Sequence, residues 1–103
     1  MDKDIVIAKL REHEAELRAA GAEHVSLFGS VARGDATADS DLDVLVKLSE
    51  PVILSGFGYF SALAILQDRI TDITGYDKVD VVAEPITKDN VRRSIEKDCA
   101  IAF

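Results

Sequence analysis

The segment 41–48, Asp-Leu-Asp-Val-Leu-Val-Lys-Leu, constrains the fold more than any other stretch of this chain. Leu42, Val44 and Val46 share one side of an extended strand, and Asp41, Asp43 and Leu45 share the other. Such a strand must bury its apolar side, so it belongs to a sheet with a covering layer. Residues 78–84 repeat the pattern, with Val79 and Val81 on one side and Asp80 and Val82 on the other. The valines around Asp80 predict a central or near-central strand, where a carboxylate is costly unless paired or bound to a cation. A third strand is expected over 24–28, ending at Gly29-Ser30.

Helical spacing fills the rest. Val6, Leu10 and Leu17 form one stripe over 3–20, with Gly21 as its C-cap. Phe60, Leu63, Leu66, Ile70 and Ile73 step by three and four over 57–74, and Gly75 ends that helix. Thr87 or Asp89 caps a last helix running to about Asp98. Residues 51–58 read as a loop, although Val52, Ile53, Leu54, Phe57 and Tyr59 are too apolar for open water. Burial against the sheet edge is the first reading of them and a partner surface the second. The fold class is α+β with an α/β-like order, a small mixed sheet of at least three strands with helices packed on it.

At 103 residues, one domain spanning 1–103 is expected, and 48% hydrophobic content can supply its core. Nineteen acids against 12 bases give a charge of -7. That balance argues against gripping nucleic acid through its phosphates and against docking on an anionic membrane. It permits a polyphosphate held through divalent ions. Cys99 is alone, so no internal disulfide forms, and it reads as an apolar filler near the C-terminus. The first residues carry acids where a signal peptide carries bases, and no apolar run approaches ~20 residues. The expectation is a soluble cytoplasmic protein.

Chemistry concentrates between Phe28 and Val46. A strand entering Gly29-Ser30 and then a short helix offers backbone N–H groups and a hydroxyl to phosphate oxygens. Standing alone, that turn is ordinary turn chemistry, and Asp41-x-Asp43 alone is an ordinary amphipathic strand. Asp80 changes the weighing. Three carboxylates facing one place repel, and magnesium relieves the repulsion because it prefers oxygen ligands and shares them with substrate phosphates. With two ions the residues Gly29, Ser30, Asp41, Asp43 and Asp80 compose a site for in-line attack on a nucleoside triphosphate.

Gly29-Ser30, ten residues, then Asp41-Leu42-Asp43 resembles the signature of the polymerase-beta-like nucleotidyltransferase superfamily. Gly-Ser-Val-Ala-Arg-Gly-Asp, Phe57-Gly58-Tyr59-Phe60, Lys78-Val79-Asp80-Val81-Val82 and the closing 91–102 resemble its minimal nucleotidyltransferases. The resemblance covers nearly the whole chain. It implies the nucleotidyltransferase fold, a triphosphate at Gly29 and Ser30, and two Mg2+ ions on Asp41, Asp43 and Asp80. Asp80 matches the carboxylate that helps activate the attacking hydroxyl. Arg33 matches an arginine after the turn, and touching phosphate and bracing the acidic strand are equal readings. The resemblance further implies a helical HEPN-class toxin as partner, with this chain as antitoxin, in some pairs by moving AMP from ATP onto a tyrosine.

Other polar residues receive structural readings. His13 falls on the first apolar stripe and His24 precedes a strand; Asp35 and Asp39 are solvated or cap a short helix. Ser40 fixes the entry to the acidic strand, and Arg92 and Arg93 are a solvated face. The leading function is a Mg-dependent nucleotidyltransferase acting on a partner protein's hydroxyl. The alternative is an antitoxin that works by binding alone. Nucleic-acid or aminoglycoside acceptors would need further domains.

Overall fold

The alternating segment becomes an inner strand of the sheet. The computed structural model describes residues 3–37, 40–84 and 89–103. In chain order the elements are α1 (Lys3–Glu12), α2 (Glu14–Ala19), β1 (Ala22–Phe28), α3 (Gly29–Arg33), β2 (Leu42–Leu48), α4 (Glu50–Leu54), α5 (Phe57–Thr74), β3 (Val79–Ala83), α6 (Asp89–Lys97) and β4 (Ala100–Ile101). The mixed sheet has the order β3-β2-β1-β4. β1 pairs antiparallel with β2 and β4, whereas β2 and β3 are parallel.

One side of β2 carries the core. Leu42, Val44, Val46 and Leu48 are buried together with Val25 and Leu27 of β1. Val6 and Leu10 of α1, Leu17 of α2 and Leu66 and Ile70 of α5 close over them. The C-terminus is tied down at the β1 edge: Arg11 Nε donates to the Ala102 carbonyl at 2.6 Å, and Arg18 lies 5.0 Å from the centre of the Phe103 ring.

Several expectations need correction. The first helix breaks at His13, whose φ of -105° and ψ of 19° leave the helical region. Its ring pairs with Glu16 at 3.0 Å, so it is a half-exposed joint residue. No Gly or Pro marks the break. Residues 50–54 form a short helix instead of a loop, with Pro51 in its first turn, where its missing N–H costs nothing. The apolar face of α5 lies where the spacing put it except at its start: Leu66 and Ile70 are buried and Leu63 and Ile73 pack on the core, but Tyr59 and Ala62 turn inward where Phe60 is 70% exposed.

The apolar 51–59 segment divides between both readings. Val52 and Tyr59 pack on the core, while Ile53 and Leu54 remain exposed. The Phe57 side chain and Thr87 lie outside the described residues. Cys99 is exposed, not a filler. β4, two residues long, was too short to register as a strand pattern. β3 is an edge strand and Asp80 on it is exposed, because the valine-rich run has a neighbour on one side only. No described helix is long and apolar enough to cross a membrane.

The face assignment of α5 can be measured. Leu66→Ala should cost about 2–5 kcal/mol of unfolding free energy and Phe60→Ala less than about 1 kcal/mol, read by urea denaturation. Equal losses would place Phe60 back in the core.

Candidate active site

The site is assembled on the side of the sheet opposite the core. Strand register does most of the work: Asp43 faces Phe28 on β1 and Asp80 on β3. Residues paired in register share a side, and neighbouring strands lie about 4.8 Å apart. Asp43 and Asp80 therefore stand side by side as like charges, an arrangement that opposes folding. Asp41 precedes the first residue of β2 and is exposed.

Where β1 ends, Phe28 is extended and Gly29 turns to a φ of +74°, starting α3. A side chain at Gly29 would be strained by that backbone, and its Cβ would collide with the Asp43 carboxylate. Glycine thus brings the first turn of α3 against the acid. The first N–H groups of any helix lack intrahelical acceptors, so this turn offers donors beside Asp43. Ser30, half-buried, adds its hydroxyl.

Burial pushes the Asp43 carboxyl up to about 6, and the negative charges of Asp80 and then Asp41 push the same way. Arg33 partly offsets them. Asp43 bears the penalty because it is half-buried while its two acidic neighbours are exposed. Among the described residues, no three His, Cys, Asp or Glu side chains are gathered closely enough to hold a metal ion unaided.

Arg33 does not brace the acidic strand directly. Its Nε donates to Asp35 at 3.2 Å, and its Nη1 lies 3.6 Å from Asp98 Oδ2. These acids hold the guanidinium pKa above its ordinary value, Asp35 first. Asp98 was missed as a partner. It is largely buried and its Oδ2 has no hydrogen bond, and nothing in its sequence surroundings sets it apart. Ser40 fixes the entry to β2 as expected, its Oγ accepting from the Thr37 N–H at 2.9 Å. Asp35 is exposed, and Asp39 lies outside the described residues.

The model of the nucleotidyltransferase domain matches residues 7–102. This chain belongs to the nucleotidyltransferase family.

Its relatives include MJ0126 of Methanocaldococcus jannaschii, named as a candidate protein adenylyltransferase, 33% identical over 91 residues and 86% of each chain. The protein adenylyltransferase MntA of Thermococcus cleftensis is 30% identical, over 86% of this chain and 84% of its own. Among solved structures, one named as a candidate minimal nucleotidyltransferase superposes with a TM-score of 0.70 at 30% identity, covering 96% of this chain and 94% of that one. The MNT antitoxin complex with a tri-AMPylated HEPN toxin of Shewanella oneidensis matches at 0.59 and 15% identity, over 98% and 71%. That likeness concerns the fold. The expected α+β nucleotidyltransferase fold is therefore borne out, as is membership among the minimal nucleotidyltransferases.

The raised acid gives a stability prediction. Its folded pKa of about 6 lies above the ordinary 3.8, so the folded state holds the proton more tightly and stability falls as pH rises through that window. Asp43→Asn should therefore melt higher than the wild type at pH 7 without divalent ions. The gain is about 1–2 kcal/mol after allowing for solvent screening at a half-exposed site. It should close below about pH 4, in a thermal-shift series across pH. A lower melting point for the variant at pH 7 would contradict the electrostatic account.

Proposed function

We propose that this nucleotidyltransferase moves AMP from ATP onto a hydroxyl of a partner protein, and that the partner is a HEPN-class toxin for which it is the antitoxin. The observation that carries the reading is the register pairing of Asp43 with Asp80 beside the Gly29 turn. Two adjacent carboxylates, one of them half-withdrawn from water, oppose folding unless they serve a cation. The names of the relatives, and the AMPylated toxin beside a protein of this fold, support the acceptor and the nucleotide.

The donor set suits Mg2+, which prefers hard oxygens and commonly keeps water and substrate phosphates in its sphere. Asp41 and Asp43 would hold it, with Asp80 facing the same place. Substrate phosphates would supply the further oxygens it needs, in keeping with a set of described side chains too open to hold an ion unaided. When bound, the metal neutralises charge on the phosphates and on the developing transition state.

The protein's own groups orient the reaction. The N–H groups of the first α3 turn and the Ser30 hydroxyl bind triphosphate oxygens. Asp80, exposed on its edge strand, accepts the proton of the attacking hydroxyl. The acceptor oxygen bonds to the α-phosphorus, the bond from that phosphorus to the bridging oxygen breaks, and pyrophosphate leaves. Arg33 places positive charge beside the phosphates from its seat on Asp35 and Asp98.

Incubation with α-labelled ATP, Mg2+ and a HEPN-class protein as acceptor tests the reading. Label should appear on the partner and fall by at least about 100-fold with Asp41→Asn plus Asp43→Asn or when chelator removes the metal. A wild type that silences the partner and leaves no label would overturn it.

A further inference from the structure

We propose that Asp98, at the junction of α6 and β4, is a positioning residue for nucleotide binding that holds the Arg33 guanidinium in place beside the triphosphate. The proposal rests on the transfer reaction proposed above and deepens it, because it makes the C-terminal edge of the sheet a determinant of nucleotide affinity.

Arg33 belongs to the phosphate turn by its place on α3. Ser30 and Arg33 stand three residues apart, so their side chains share one face of that helix. The charge of Arg33 also reaches the acids, since it partly offsets the upward push of burial and neighbouring carboxylates on Asp43. A long side chain does this usefully only when it is held. Two acids hold it: Nε donates to Asp35 at 3.2 Å, and Nη1 lies 3.6 Å from Asp98 Oδ2. A guanidinium has five donors, so both contacts can be kept while other N–H groups meet phosphate oxygens.

The two acids differ in what they can fix. Asp35 lies two residues from Arg33, across Gly34, and its side chain is 62% exposed. A partner so near in the chain and so open to water constrains an arginine weakly. Asp98 is 65 positions away and its side chain is 18% exposed. Its backbone is tied down, with its N–H donating to the Ser94 carbonyl at 2.9 Å. Ala100, two residues on, pairs with Leu27 of β1, and Leu27 stands two residues before Gly29. β1 thus carries the phosphate turn at its end and the Asp98 segment at its side. The contact between Arg33 and Asp98 closes the ring.

Folding alone does not account for the acid. Asp98 Oδ2 is shut off from water without a hydrogen bond, and 3.6 Å is too long for one to Nη1. A carboxylate oxygen withdrawn from water without a donor opposes folding. A triphosphate that orders the guanidinium from its other side would let Nη1 close that gap.

Calorimetric titration of the whole chain with a non-hydrolysable ATP analogue and Mg2+ decides the role. Removing a negative charge near a triphosphate strengthens binding by electrostatics alone, whereas losing a positioning residue weakens it. Asp98→Asn should weaken binding about fivefold and Arg33→Ala about tenfold. The double variant should bind within about twofold of Arg33→Ala, because Asp98 acts through the arginine. Asp35→Asn should cost less than Asp98→Asn. Arg33→Lys keeps the charge but cannot engage two acids at once, so it should lose about as much as Asp98→Asn. In the transfer assay the larger part of each loss should appear in the KM for ATP rather than in kcat. The proposal is overturned if Asp98→Asn binds the analogue as tightly as the wild type or tighter, if the double variant loses both factors, or if lysine at position 33 retains full affinity. A wild type that binds no analogue overturns the transfer reading and this role with it. A wild type that binds it while Asp98→Asn loses nothing overturns this role alone.

Discussion

Asp43 is the residue on which the arrangement turns. Its backbone lies in an inner strand, locked by Phe28 on one flank and Asp80 on the other. Its side chain rests where any residue but glycine at position 29 would collide with it. One strand thus fixes an acid, a second acid and a helix start relative to each other, with no loop of its own in the constellation. Strand pairing is a stiffer frame than loop packing, which suits a site needing sub-ångström placement.

That frame carries a burden, because like charges in register oppose the pairing that holds them. The opposite side of the same strand supplies the compensation. Leu42, Val44, Val46 and Leu48 are shut away from water beneath α1, α2 and α5, so β2 is held by its apolar side while its acidic side repels. The division follows from the period-two alternation of a strand, and a slip of one residue would exchange the two sides.

This division was legible in the sequence, because alternation over 41–48 is unambiguous and the Gly-Ser turn stands a fixed distance ahead of it. The cost of acid burial was legible in kind and misplaced in position. Valines around Asp80 suggested a strand enclosed on both sides, yet β3 lies at the edge and the half-buried acid is Asp43. Strand order is decided by pairing between distant segments, which local composition does not encode. The same limit explains the exchange at the start of α5: Phe60 continues the three-and-four spacing, yet Tyr59 packs on the core in its place, because the packed neighbour decides which of the two rings turns inward. Asp98 was silent for a related reason, since its meaning comes from Arg33, 65 positions earlier in the chain.

The electrostatics also recast the acidic composition of the chain. Most of the excess charge is spread where water screens it, so it weighs little on the fold. The small part gathered around Asp43 does not escape in that way, because the carboxyl there is partly withdrawn from water. A ligand that brings positive charge to this place stabilises the folded chain by the free energy it gains there. Folding and the binding of such a ligand are therefore coupled at one residue, and the coupling is strongest above pH 6, where Asp43 has lost its proton. An acid held this way weakens the fold most at neutral pH with no positive charge beside it, the condition under which a cation would gain most by binding there.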